Sequence, residues 1–493
     1  MLLGAFIPSF VLAQEWDLNN GNIIVNAVPG TEQTVSQAGS TPTVDNNPVI
    51  TSSGKTNNTV TITAEKNATA NVTLENVNID TGTRGGAAIT TSGEGNVNIE
   101  LNGTNTVQSG NTHAGVEKKD NGTLTITDED KDGSLTATGG NYGAGIGGGY
   151  EGSGSNIAIE GGKVKAIGGT HGAGIGGGFG GSGSNIAIEG GKVEASSVGG
   201  GAGIGGGSLG SGSNIAVSGG EVTAQGGVGG AGIGGGQGGS GSNITISDGK
   251  VTATGAGAGI GGGYAGSGEG ITIEGGEVTA QGDAGGAGIG GGISGTGSDV
   301  TISGDAQVKV QGGTTGRDWH KGAAIGNGGT PTTDGNEVSP NTSDLKVGGF
   351  IQIYEPGKNI NTDTPDRTIE GQKGDHSWNA GEVTAETVPE SKAAAYWVSD
   401  SEGQSIPYQA QQKDGVLTVT VQADTASLRG TIGSLRQLEA QGVAEIRFVT
   451  NGAQSDFTLS DLLTSGTGSF TLTHDGDKIT FTLESKDISG ILK

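Results

Sequence analysis

The sequence predicts a mainly β fold: a right-handed parallel β-helix, a solenoid of about nine coils, followed by a small α+β domain. Three observations predict it. First, a glycine-rich unit recurs. GAGIGGGYEGSGSNIAIEGGKVKAIGG at residues 143–169 returns nearly unchanged from residue 172, and its central isoleucine falls at Ile146, Ile175, Ile204, Ile233, Ile260 and Ile289. The spacings are 29, 29, 29, 27 and 29 residues. Second, each unit holds three short apolar alternations separated by glycine, in the first unit Ala144/Ile146, Ile157/Ile159 and Val164/Ala166. Period-2 alternation means strands with one face turned inward. Third, the glycine repeats stop before residue 396 and the composition changes.

Strands this short cannot stand alone, so each unit reads as one coil resting on its neighbours. Decayed copies at Ile89 (GAAI), Val116 (HAGV) and Ile325 (GAAIGNGG) bring the count to nine, roughly 43 Å of solenoid at strand spacing. Equivalent residues then form columns. Val164, Val193, Val222, Val251, Val278 and Val308 make an interior valine column, with Ala166, Ala195, Ala224, Ala253 and Ala280 beside it. Asn156, Asn185, Asn214 and Asn243 make an asparagine ladder able to exchange amide hydrogen bonds along the axis, broken at Gly270 and Asp299. In GAGIGGG the predicted inward residues are Ala144 and Ile146, while Gly143, Gly145 and Gly147 face out as a smooth strip. Glycine weakens a strand, so something compensates: tight corners on both sides, or close approach of a ligand or another backbone.

A solenoid exposes strand edges at its ends and needs caps. Residues 14–58, from Glu15-Trp16-Asp17 on, read as the N-terminal cap and 59–362 as the β-helix, with Leu345 to Tyr354 as a last coil or capping strand. Residues 363–395 read as a linker. In the C-terminal domain, 396–493, Val416 to Val421 and Val443 to Thr450 read as strands. HDGDK joins Phe470–Thr473 and Ile479–Leu483 into a hairpin, and Leu428, Ile432, Leu435 and Leu438 share one face of a short helix.

Composition restricts function. Glycine accounts for 106 of 493 residues without an every-third period, and proline for 10, which excludes collagen. The formal net charge of −26 argues against nucleic acid or an anionic membrane surface as partner. There is no cysteine, hence no disulfide framework. Leu2 to Ala13 (LLGAFIPSFVLA) is an apolar run too short to span a bilayer, and Val11 and Ala13 suit a signal peptidase, although no basic stretch precedes them. Residues 1–13 are therefore expected to be an export signal and the mature chain extracellular, and no later segment is apolar enough to cross a membrane.

The GAGIGGG…GSGSNIxIxGGxVxA unit, strongest over 143–304, resembles the glycine-rich β-helical repeats of secreted surface proteins of Gram-positive gut bacteria, described as carbohydrate-binding or adhesin-like. The resemblance implies a cell-surface architecture and assigns no binding residues.

Three candidate sites emerge. Asp128-Glu129-Asp130-Lys131-Asp132-Gly133 has the D-x-D-x-D-G pattern in which Asp128, Asp130 and Asp132 converge on calcium, but Gly139 replaces the bidentate glutamate at the twelfth position. The same residues also read as a solvated Asp-Gly turn. Tyr150, Phe179 and Tyr264 occupy one turn position on different coils, and Tyr142 and His171 the position before the glycine strip. Flat rings beside a groove hold sugar faces, so a polysaccharide or host glycan is the expected partner; stacked turn residues covering backbone are the plainer reading. Trp319 and His320 form a lesser aromatic pair. Finally, Glu160, Glu189 and Glu274 share an outward column near Lys163, Lys192 and Lys250, which reads as compensating charge on a solvated face; the five histidines are scattered. The leading expectation is a non-enzymatic adhesin or glycan-binding solenoid. A structural spacer displaying the C-terminal domain comes second and a polysaccharide-lyase-like enzyme third.

Overall fold

The computed structural model describes residues 14–370 and 396–492, apart from 120, 315–319, 343 and 347 in the first stretch and 401–405, 407, 414, 432–434, 436–437, 440–441, 465–468, 477 and 484–485 in the second. Residues 1–13, most of the 363–395 segment and Trp319 lie outside the described residues. The chain forms two compact units, Met1–His376 and Ser377–Lys493.

The first unit is a parallel β-solenoid with three sheets running along its length. In the coil around Ile146, the glycine sheet receives Ile146–Gly147, the asparagine sheet Gly154–Ile159 and the valine sheet Lys163–Gly168. Each strand pairs in register with its equivalent 29 residues on: Ile146↔Ile175, Ile157↔Ile186, Val164↔Val193, Ala166↔Ala195. Stacking of this kind places identical side chains over one another. The isoleucine, valine and alanine columns are almost fully buried and form one continuous core with the first coils.

The solenoid has more coils than the nine counted from GAGI. The asparagine sheet alone stacks eleven parallel strands. Ile23–Ala27 (IIVNA) and Val60–Ala64 (VTITA) lie beneath Ile89 in the glycine sheet, paired Ile23↔Val60 and Val60↔Ile89. Threonine and asparagine replace the repeat's glycines there, so the motif is lost while the inward alternation persists. Residues 14–58 are thus both first coil and cap: Thr34–Gln37 and Thr43–Val44 add two antiparallel strands beside Ile23–Ala27. At the other end Phe350–Tyr354 continues the valine sheet in parallel, and Arg367–Glu370 closes it antiparallel.

The second unit holds a five-stranded and a four-stranded sheet around Phe448, Phe457, Phe470 and Phe481. The predicted strands and the 470–483 hairpin are present. The helix expected over Leu428–Leu438 begins too early: Leu428 lies in the strand Thr425–Thr431, opposite Leu472, because a full cross-strand ladder outweighs a short 3.6-residue pattern containing Gly430. Leu435, Leu438 and Glu439 are helical as expected, and a further helix spans Leu459–Thr464.

Candidate functional site

The glycine strip is not an open surface. Gly143 to Gly148 are buried, and their missing side chains are where other backbone runs. A Cβ on Gly143 would sit 2.0 Å from the His113 carbonyl oxygen, and one on Gly145 2.5 Å from the Ile167 nitrogen. Gly147, Gly176, Gly205, Gly234, Gly261 and Gly290 all adopt φ near +130°, and each would drive a Cβ into the next coil's glycine carbonyl. Glycine is required here by backbone-to-backbone packing at a corner. This corrects the smooth strip expected to lie beside the aromatic rings.

The rings themselves do assemble. Phe179 N–H donates to Tyr142 C=O and Tyr150 N–H to Thr112 C=O, so the chain enters and leaves the glycine sheet at one shared corner. Tyr142 stacks on His171 (5.2 Å, 13°) and Tyr150 on Phe179 (5.8 Å, 12°), while Tyr142 meets Tyr150, and His171 meets Phe179, edge to face at 5.5 and 5.2 Å. The result is a two-by-two block on consecutive coils, with Tyr150 47% exposed. A hydrogen bond to the Glu151 carboxylate, reinforced by its charge, raises the Tyr150 phenol above its usual value. Tyr264 is not part of the block. It stands three coils on from Phe179, about 14 Å at strand spacing, with Ser208 and Gln237 between them.

The acidic turn closes differently from the sequence pattern. Asp128 and Asp130 bring carboxylate oxygens within 4.8 Å of Glu100, from the preceding coil, and of each other. Asp132 turns away; its Oδ1 accepts from Gly103 N–H at 3.4 Å. Glu100 was invisible to a local motif because it lies 28 residues before Asp128. It also accepts from Glu129 N–H, and Asp128 from Gly133 N–H, so the cluster is partly satisfied by its own turn.

The lysines of the charged face pair along the axis, Lys192 with Glu221 and Lys250 with Glu277, in the valine sheet. Burial raises the carboxyls of Glu189 and Glu274. They stand three coils apart in their column, too far to work as a catalytic pair. His320 Nδ1 lies 3.1 Å from Asp334, exposed.

Sequence reasoning missed two carboxylates that replace backbone. In the repeat, Ala144 N–H donates to Gly148 C=O. In the decayed coil before it, Ala114 N–H donates instead to Glu117 Oε2, whose side chain is 3% exposed and also meets His113 Nδ1 and Lys119 Nζ, each at 2.7 Å. At the last glycine-sheet rung, Glu337 accepts from Ala324 N–H (2.7 Å) and Ile325 N–H (3.2 Å). Also missed was a run of exposed apolar residues on the ring corner, Val198, Leu209 and Val228.

Among known families, the β-helix repeat matches residues 131–150, 157–179, 186–208, 215–237, 244–264 and 271–293. Each stretch contains one central isoleucine and ends on the corner position of Tyr150, Phe179, Ser208, Gln237, Tyr264 and Ile293. No curated protein and no solved structure matches the chain. No helix among the described residues is long and apolar enough to cross a membrane.

Proposed function

We propose that this chain is an extracellular, non-enzymatic glycan-binding solenoid that acts at a bacterial cell surface. One observation carries the reading: the four-ring block of Tyr142, Tyr150, His171 and Phe179, half-exposed at one corner of the solenoid. Ring faces and edges bind sugar C–H faces through dispersion, and the rigid solenoid holds them without the entropy cost of ordering a loop. A glycan array with the wild type and Tyr150→Ala/Phe179→Ala tests it. Binding of a defined glycan by the wild type, lost in the double variant, is expected. Equal signals from both proteins remove the rings as the site.

The burial of the glycine strip favours a second reading, a structural spacer, because it leaves most of each coil committed to backbone packing. A wild type that binds no glycan on the array supports that reading instead.

A further inference from the structure

The ring block stands at a step in the solenoid. Val116 pairs with Ile146 and Leu124 with Ile157, yet Leu124 lies eight residues after Val116 and Ile157 eleven after Ile146. The Val116 coil is therefore three residues short of a full corner. A Cβ on Gly178, within the repeat, would meet the Gly149 carbonyl oxygen at 1.9 Å. One on Gly149 would instead meet the Thr112 carbonyl at 2.8 Å and the Glu117 carboxylate at 2.9 Å. Tyr150 follows Gly149 at this step and is the most exposed ring of the four.

A carboxylate belongs to the block. Glu151 is exposed and accepts the Tyr150 hydroxyl, and its Cγ lies 3.9 Å from where a Cβ on Gly180 would sit, so the side chain leans along the axis toward the Phe179 rung. Its backbone is left-handed, φ +57°, as it is at Gly180, Leu209, Gly238, Ala265 and Ser294 on the later rungs. The fold asks for that conformation and for no particular side chain, and glycine adopts it at lower cost than glutamate. Glu117 is taken up by His113 and Lys119. Among the described residues no lysine, arginine or histidine makes an ion pair with Glu151. A carboxylate has two oxygens and about four acceptor sites, so the Tyr150 hydroxyl leaves most of its capacity open.

We propose that the block recognises a sugar bearing a free, protonated amine, its ammonium against the Glu151 carboxylate and its C–H face on the rings. The inference rests on the glycan reading above and adds the chemistry of the sugar. An aromatic face attracts a cation through its quadrupole, and a carboxylate at the ring edge adds an ion pair. Each contact is weak alone; rings and carboxylate held on one rigid corner act together without ordering a loop. A neutral or N-acetylated sugar gains only the ring contact. A uronic or sialic acid is repelled by Glu151 and by the net charge of −26, which draws a protonated amine in.

The test measures affinity of the full chain for two soluble probes, the trimer of glucosamine with its amines protonated and the trimer of N-acetylglucosamine. In low salt the wild type should prefer the amine trimer about 3- to 10-fold, the scale of one exposed cation–π contact with one exposed ion pair, and added salt should shrink that ratio. Glu151→Gln, on an exposed side chain, should bring the two affinities within about twofold of each other. Tyr150→Ala/Phe179→Ala should weaken both. Glu160→Gln removes the same charge beyond the far end of the strand Gly154–Ile159, about 20 Å away, and should preserve the ratio. If the ring variant loses binding while the wild type shows no preference, or Glu151→Gln keeps it, this inference fails and the glycan reading stands. Equal loss of the preference in Glu151→Gln and Glu160→Gln makes it attraction to the whole acidic chain and also overturns the inference. If neither trimer nor any glycan on the array binds the wild type, both readings fail. A lysine-rich peptide that binds more tightly than the amine trimer, with the same dependence on Glu151 and the rings, makes the partner a protein and overturns the amino sugar.

Discussion

Glu337→Ala should loosen one end of the solenoid selectively. In internal coils, the amides equivalent to Ala324 and Ile325 donate to the next coil, as Gly288 N–H does to Ala323 C=O and Ile289 N–H to Ala324 C=O. In the last glycine-sheet rung the Glu337 carboxylate takes both donors. A hydrogen bond to a charged group contributes about 1.5–3 kcal/mol when shielded. Glu337 is largely exposed, so water recovers part of that, and about 2 kcal/mol for the pair is the reasonable figure. Coils couple mainly to their neighbours, so the loss stays local instead of lowering a single global transition. Native-state hydrogen exchange at Ala324, Ile325 and Ile289 should therefore speed up roughly 30-fold, while Ile204 stays protected. The uncapped rung also becomes an open strand edge, so sedimentation should show end-to-end association at high concentration. Unchanged protection at Ala324 and Ile325 would refute the capping role.

Asn185→Ala should destabilise by about 2 kcal/mol, since alanine at φ +53° is strained and two ladder bonds, to Asn156 and from Asn214, are lost; Asn185→Gly should cost less, and chemical denaturation can rank the two. Gly205→Ala adds a Cβ 2.0 Å from the Gly234 carbonyl oxygen at φ +130° and should abolish the coil, read as loss of protection across Ile175, Ile204 and Ile233. His474, fully buried between Thr450 and Ser455, has its pKa pushed down to about 4 by burial. Its neutral form is folded, so as pH falls from about 6.5 to about 4 the unfolded chain takes up a proton the folded unit refuses. Stability should drop by up to about 3 kcal/mol over that window and level off below it; His474→Asn should remove most of this slope in thermal melts. Asp130→Asn separates the two readings of the acidic turn: as a calcium ligand with Glu100 and Asp128, its loss lowers calcium affinity in titration calorimetry, whereas a solvated turn shows no binding tighter than about millimolar in either protein.

What was legible followed from stacking. Val164 predicts Val193 because each packs against its own copy one rung away, so repetition in sequence is contact in space. The asparagine column was legible as a column, but part of its cause was not. Asn156, Asn185, Asn214, Asn243 and Asp299 all sit near φ +50°, as does Gly270 at +64°, so the position first demands a left-handed residue and only then profits from amide exchange. Gly270 and Asp299 break the amide ladder without breaking that backbone rule. The early coils were illegible because Val60–Ala64 keeps the inward alternation and drops the glycine signature.

The same logic explains why the candidate site was only half visible. A glycine carries no side chain to show which of its faces is covered, so GAGIGGG could not reveal that Gly145 faces the backbone of Ala166 and Ile167. Glu100, Glu117 and Glu337 act on partners in other coils or in place of a carbonyl, and no local spacing announces that. The rings were visible because they differ at positions where every other demand is equal. Between Phe179, Ser208, Gln237 and Tyr264 the backbone hydrogen bonds repeat unchanged, so the fold is indifferent to which side chain stands there. A position that stacking leaves free, yet that holds exposed apolar groups in a chain with only 4% aromatic residues, is where binding has room to be selected. On the proposed glycan reading, the side chains at this corner, two ring pairs followed by Ser208, Gln237 and Tyr264, are the ones that mutagenesis should address first.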